Sequence, residues 1–358
     1  MKFYNINHLR KLYIFFLFLS LSLFFFSTAK VEAKAFDIND VEISQPFANN
    51  FDKNNVIDQG FRQAFFKLLS LIVTSSDQEK IENIRLNEIK VMIESFSIKE
   101  EKFINDIYYV NLGVSFNKKK IFKYLEERNI FPSSPKKEKF LFIPIIIDET
   151  IKDLLVFSNN NFFDNWNVLN ESHHLIEYIL PTEDLEDLKQ IKSNYETIEK
   201  YNFEEIIKKY YLDNYIIALF FKNKQNVRVL SKISIKNNLK LKNQTFKNID
   251  INDQKQLQKI VDELKIIYED NWKISNQINT SIKLLLTIKT NSSDEKKISK
   301  FENILRQNNL IYDFYISKFS NDTIFYKIVF NGTPDIFLRS MEKHRFSFNT
   351  QNKIWIMK

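Results

Sequence analysis

Only three glycines, Gly60, Gly113 and Gly332, occur in 358 residues, and they stand far apart. A phosphate loop or dinucleotide-binding turn needs glycines clustered where backbone approaches pyrophosphate, so folds built around such loops are excluded. The chain has no cysteine, which removes disulfide scaffolds, thiolate metal sites, thiol nucleophiles and lipidated-cysteine anchors. The redox compartment stays unread, because a chain without thiols is indifferent to it. With 44% hydrophobic and 15% aromatic residues, disorder is excluded. At roughly 150 residues per domain, the length suits two or three domains that each bury a core.

The formal charge of +7 and pI near 9.1 invite a nucleic-acid reading, but the charge is unevenly placed. Lys2, Arg10 and Lys11 precede the apolar run Leu12 to Phe26, and Ser27-Thr-Ala-Lys-Val-Glu-Ala-Lys-Ala35 follows. A basic start, an apolar stretch and a small-residue site have the layout of a secretory signal peptide over residues 1–35. Cleavage fits after Ala33 or after Ala35. The alternative is an uncleaved anchor with its basic end in the cytoplasm, although the run is shorter than the roughly 20 residues that span a bilayer. Without residues 1–35 the net charge falls to +3. Membrane contact is then expected only through the N-terminal segment, if it is uncleaved, and nucleic acid is not expected as a partner.

Periodicity along the remainder predicts an α+β protein of three small modules in series. Residues 36–131 read as a βααββα module. A first strand precedes a helix carrying Ile57, Phe61, Ala64, Phe65, Leu68, Leu69 and Ile72 at intervals of three, four and seven. A second helical stretch restarts at Ser75-Ser76-Asp77. Phe96 and Ile98, then Tyr108 to Phe116, alternate as an antiparallel pair with one buried face. Asn117 caps a last helix with Ile121 and Leu125 inward.

Pro132-Ser-Ser-Pro135-Lys-Lys-Glu-Lys139 reads as a linker over 132–139. Residues 140–250 read as a small α/β layer: apolar runs at 140–147, 154–157, 175–180 and 215–221, a helical segment at 182–209, and an edge hairpin turning at Asn237-Asn238. Pro144 predicts a bulge or an edge in the first run. A connecting helix is expected over 251–279. Residues 280–358 read as a ferredoxin-like βαββαβ module, with Ser292 and Glu295 as a capping box, Pro334 in a helix first turn, and a final strand at Lys353 to Met357.

The chemistry-bearing residues are few. The mature chain holds three histidines. His173 and His174 would point to opposite faces of a strand and chelate one metal only from a turn, and His344 between Lys343 and Arg345 reads as exposed. Trp166 with Phe162 and Phe163 reads either as an aromatic platform for a sugar or peptide or as a helix packing on the α/β sheet. Glu183, Asp184 and Asp187 read either as cation or acid-base carboxylates or as the first turn of a helix after Pro181. Together these six residues form the candidate ligand site. The basic runs Lys118–Lys120 and Lys136–Lys139 lack interleaved aromatics and read as a solvated helix start and linker. No catalytic residue, metal ligand or cofactor is assigned.

The order of landmarks resembles the domain of unknown function 2066 family of proteobacterial envelope proteins. The likeness is carried by the export signal, the early strand and Phe-rich helix, Phe96-Ser-Ile-Lys-Glu-Glu-Lys102 before Tyr108-Tyr-Val-Asn-Leu112, and Phe140-Leu-Phe-Ile-Pro144. It continues through Leu154-Leu-Val-Phe157 with Trp166, Leu180-Pro181 with Leu185-Glu-Asp-Leu188, and a terminal strand around Trp355, over nearly the whole mature chain. The resemblance implies an exported protein of the Gram-negative periplasm and brings no activity, cofactor or site residue. The first module is also similar, at fold level only, to peptide-binding modules of outer-membrane assembly proteins. The expectation is a non-enzymatic envelope accessory or assembly protein with an envelope protein partner. The alternatives are a periplasmic binder of sugar, peptide or cation at the candidate site, and a hydrolase using Glu or Asp.

Overall fold

The computed structural model describes residues 36–168 and 175–358. Residues 1–35, where a signal peptide is expected, and the His173-His174 pair lie outside the described residues. Among the described residues no helix is long and apolar enough to cross a membrane. The fold is α+β, with three separate sheets in chain order.

The first module comprises β1 (Asp37–Pro46), α1 (Lys53–Ile72), α2 (Ser75–Glu79), α3 (Leu86–Met92), β2 (Ile93–Ile104), β3 (Ile107–Phe116) and α4 (Lys118–Glu126). Its sheet is antiparallel in the order β1-β3-β2. Asp52 starts α1 by accepting the Asn54 N–H at 2.8 Å, and the helix buries Val56, Gly60, Phe61, Ala64, Phe65, Leu68, Leu69 and Ile72. Gly60 marks the closest approach to the sheet, since a Cβ there would stand 2.3 Å from Leu112 Cδ1. Asn117 caps α4, and Ile121 and Leu125 are fully buried, as the spacing predicts. The β2–β3 pair forms, but only β3 has a buried face. Helix α1 lies over β1 and β3, so the matching side of β2 stays open.

The second module comprises β4 (Glu138–Asp148), β5 (Asp153–Leu155), α5 (Asn161–Asn165), β6 (Ile176–Ile179), α6 (Leu185–Ser193), a 3₁₀ turn (Tyr195–Thr197), α7 (Glu204–Lys208), β7 (Tyr215–Asn223), β8 (Asn226–Ile235), β9 (Asn238–Phe246) and α8 (Gln254–Ser275). Strands run β5-β4-β7-β8-β9, with β6 also on β4. Strand β4 is central despite Pro144. Its outer edge is shared by β6 opposite residues 138–141 and β5 opposite residues 146–148, and Pro144 stands in the gap, where no ladder N–H is required. Alternation along β4 sends Phe140, Phe142 and Ile146 to one core and Leu141, Ile143, Ile145 and Ile147 to the other.

The long helix expected as a connector is instead a layer of this module. Leu257, Ile260, Val261, Leu264, Tyr268 and Trp272 of α8 are buried on the even-numbered face of β4. The 132–139 segment is likewise no free linker. Ser133 N–H donates to Ile72 O, Pro132 O accepts from Ile278 N–H at 2.8 Å, and Trp272 Nε1 donates to Lys136 O at 2.8 Å. The basic run at the start of α4 is also tied down: Lys118 Nζ donates to Asn308 O at 3.1 Å and Ile311 O at 2.8 Å, and Lys119 pairs with Asp313 at 2.5 Å. These bonds pack residues 36–358 into one unit.

The third module comprises β10 (Leu284–Asn291), α9 (Glu295–Gln307), β11 (Ile311–Phe319), β12 (Thr323–Phe330), α10 (Pro334–Glu342), β13 (Phe348–Asn349) and β14 (Ile354–Met357), with sheet order β11-β12-β10-β14-β13. It follows the expected βαββα course and then departs at its end. The chain makes a short β13–β14 hairpin, so β14 lies beside β10 in parallel and β13 takes the outer edge. The α9 cap also differs from expectation: Asp294 accepts from Lys297 N–H, while Ser292 Oγ binds Asn321 O.

Among the described residues twelve non-glycine residues adopt positive φ and no glycine does. Two-residue hairpin turns at Asn105-Asp106 and Lys236-Asn237 have both residues left-handed, the geometry whose twist matches paired strands. Asn and Asp tolerate that region because their short side chains bond locally.

Candidate functional site

The structure does not bring the six nominated residues to one surface. Trp166 is 0% exposed and stacks on Phe142 at 3.8 Å, and Phe162 stacks on Phe220 at 3.7 Å. Both belong to the core between the sheet and α8. Phe163 turns to the opposite core, against Phe157 at 5.5 Å. The Trp166 indole is therefore a core side chain, and the recognition-platform reading loses its exposed ring.

Glu183, Asp184 and Asp187 lie on the other side of the sheet, at the start of α6. Asp184 is the N-cap, accepting from Glu186 N–H at 2.8 Å and Asp187 N–H at 3.0 Å, and these bonds hold its carboxyl below the usual carboxylate range. Asp187 is buried and pairs with Lys209 Nζ at 2.7 Å. Glu183 is exposed. Two of the three carboxylates thus build the helix start and its tie to Lys209, the structural alternative weighed from sequence. An open cleft of about 750 Å³ between α6 and α7 is lined by Glu186, Lys189, Gln190, Tyr201, Glu205 and Lys208. Among the described residues no group of three or more acidic or histidine side chains is placed to hold a metal ion, and His344 is exposed.

The open surface lies elsewhere, on β2. This strand is the sheet's edge, and nearly all of its residues are exposed. Register with β3 places Phe96 opposite Val114, Ile98 opposite Leu112, Glu101 opposite Val110 and Phe103 opposite Tyr108, all on the helix-facing side. Beyond the flank of α1 these side chains have only partial cover. Phe96 touches Phe61 edge-on at 5.0 Å yet is 50% exposed, and Phe103 meets Phe47 at 4.8 Å with both rings about half exposed. Between the two aromatic ends, Glu101 pairs with Lys53 at 2.7 Å and accepts from Tyr108 Oη at 3.0 Å. Those two donors, Lys53 foremost, hold the Glu101 carboxyl below its ordinary range.

The result is a twelve-residue strand with a free backbone edge beside an apolar strip split by one ion pair. Such an edge offers main-chain hydrogen bonds to an incoming strand, and the strip offers contacts for its alternate side chains. Lys99, Lys102 and two register irregularities discourage pairing with an identical flat edge. Sequence reading buried this strand because its apolar spacing matched that of β3. Glu100, next in the alternation after Ile98, was the available signal that the apolar face ends there; the bulge between them puts Glu101 in that place instead.

Comparison with protein-family models gives no match, and comparison with curated proteins gives no significant relative.

Proposed function

We propose that this chain is an exported, non-enzymatic accessory protein of the bacterial cell envelope that docks an extended segment of a partner protein along β2. The observation that carries the reading is the unpaired β2 edge with Phe96, Ile98 and Phe103 exposed beside it. A strand whose backbone groups and large apolar side chains both face water is costly unless a partner covers it. The basic-apolar-small layout of residues 1–35 supports export to the envelope. The conversion of the nominated carboxylates into a helix cap and an ion pair supports a binding role over hydrolysis.

In-cell photocrosslinking tests this directly. A photoreactive residue replacing Ile98 should trap an envelope protein, while one at Lys296 on α9 should not. Absence of any adduct at residue 98 above the residue 296 background would overturn the reading.

A further inference from the structure

The third module carries charge that the rest of the folded body does not. Residues 280–358 hold thirteen Lys and Arg against seven Asp and Glu, a net +6, whereas residues 36–279 sum to −3. One face of its sheet is covered by α9 and α10, which bury Ile288, Phe301, Tyr326, Ile328, Phe330 and Phe337 between them. The opposite face carries no helix of this module, and α4 of the first module reaches only its β11 edge, through Lys119 on Asp313; registers place the side chains of this face in rows. Tyr315, Lys327, Thr287 and Ile354 share one row, and Lys318, Phe325, Lys289 and Ile356 share the next. Large apolar groups stand in water there: Leu285 is 76% exposed, Tyr315 56%, and Ile354 and Ile356 just over 40%.

Apart from one paired carboxylate, charge on this face is positive. The outward rows of β10, β11, β12 and β14 contain a single carboxylate, Asp313, and Lys119 of the first module already binds it. Lys289 and Lys318 lie over the Phe325 ring at 5.8 and 5.9 Å, so their ammonium groups sit level with the apolar side chains. A second copy of the chain meeting this face about a two-fold axis would set lysine against lysine. A single-stranded nucleic acid would need successive exposed aromatic stacking positions, and Tyr315 is the one aromatic among the four large exposed groups here.

We propose that this open face docks on an anionic phospholipid surface, with Leu285, Ile354, Ile356 and Tyr315 entering the interface and Lys289, Lys318 and Lys327 meeting the headgroups. Apolar insertion combined with attraction of interleaved cations is the physics of peripheral membrane binding. The site is separate from β2 and does not depend on the partner-docking reading.

The absence of native cysteine makes a local test available. In the full chain, Leu285→Cys labelled with an environment-sensitive fluorophore reports the face, and Lys296→Cys reports the opposite helical side. With phosphatidylglycerol vesicles the residue 285 probe should shift to the blue and the residue 296 probe should not, and phosphatidylcholine vesicles should shift neither. Insertion of residues 12–26 alone would not distinguish the two labels. Replacing Lys289, Lys318 and Lys327 by Gln should weaken the residue 285 response about a hundredfold. Equal shifts at both positions, a shift that neutral vesicles reproduce, or a shift produced by a single-stranded oligonucleotide and not by vesicles would each overturn the proposal.

Discussion

Asn160 Nδ2 donates to the carbonyl of Pro144 at 2.9 Å, at the point where β4 lacks a neighbouring strand on its outer edge. The two hydrogens of that amide are shared with Leu155 O at 3.1 Å and Val156 O at 2.9 Å as well, while Oδ1 accepts from Phe162 and Phe163 N–H. One fully buried side chain thus fills the break that proline makes and starts the helix that carries Trp166.

Because those bonds are buried, Asn160→Ala leaves several backbone groups unpaired. It should cost about 3 kcal/mol in denaturant unfolding with the slope unchanged. Asn160→Asp keeps the cap acceptor but removes the donors and buries a charge, so it should be at least as destabilising. A loss below about 1 kcal/mol for both variants would contradict this role.

Trp166 separates packing from recognition. Its Nε1 is buried without a hydrogen-bond partner, so Trp166→Phe loses volume but no bond and should cost under about 2 kcal/mol. Trp166→Ala should cost about 3–5 kcal/mol by opening a cavity against Phe142 and Tyr268. Calorimetric melting of the two variants measures the difference, and a ligand that stabilises the parent but not Trp166→Phe would restore the platform reading.

Lys118 joins the first and third modules from a half-buried position. Burial pushes its ammonium down to about 8 from 10.5. Below about 8 the group is protonated in both folded and unfolded chains. Between about 8 and 10.5 the unfolded chain binds more protons, so stability contributed by this group rises with pH. Relative to Lys118→Met, the parent should gain ~3 kcal/mol across that window. Parallel pH profiles for the two proteins would exclude the effect.

Phe96 and Ile98 stand outside the core, so Phe96→Ser combined with Ile98→Ser should change unfolding free energy by under about 1 kcal/mol. Partner crosslinks from a photoreactive residue at Lys99 should nevertheless fall severalfold. A large stability loss would mean that the strip is internal packing.

Much of this architecture was legible from spacing alone. The α1 stripe from Phe61 to Ile72, the Asn117 cap and the Thr333-Pro334 helix start are local features whose physics lies within one or two turns. The turn at residues 236–237 differs by one position from expectation, because Lys236 rather than Asn238 takes the left-handed conformation. The Asp184 cap was legible as one of two alternatives. What failed was cover. Phe96 and Ile98 have the same alternation as Val110 and Leu112, and alternation says which side of a strand a residue faces without saying whether anything lies above it.

The sequence by itself determined most of the elements and their order, β13 excepted, and the exclusion of glycine-rich nucleotide loops and thiol chemistry, because each follows from residue type or short-range periodicity. Only the tertiary structure decided that α8 covers a sheet rather than bridging two modules, that Trp166 lies in the core on one side of that sheet while Asp187 meets Lys209 on the other, and that β2 and most of the outer face of the last sheet stay open. Those outcomes depend on where distant helices come to rest, and helix placement is set by long-range packing that no local pattern encodes.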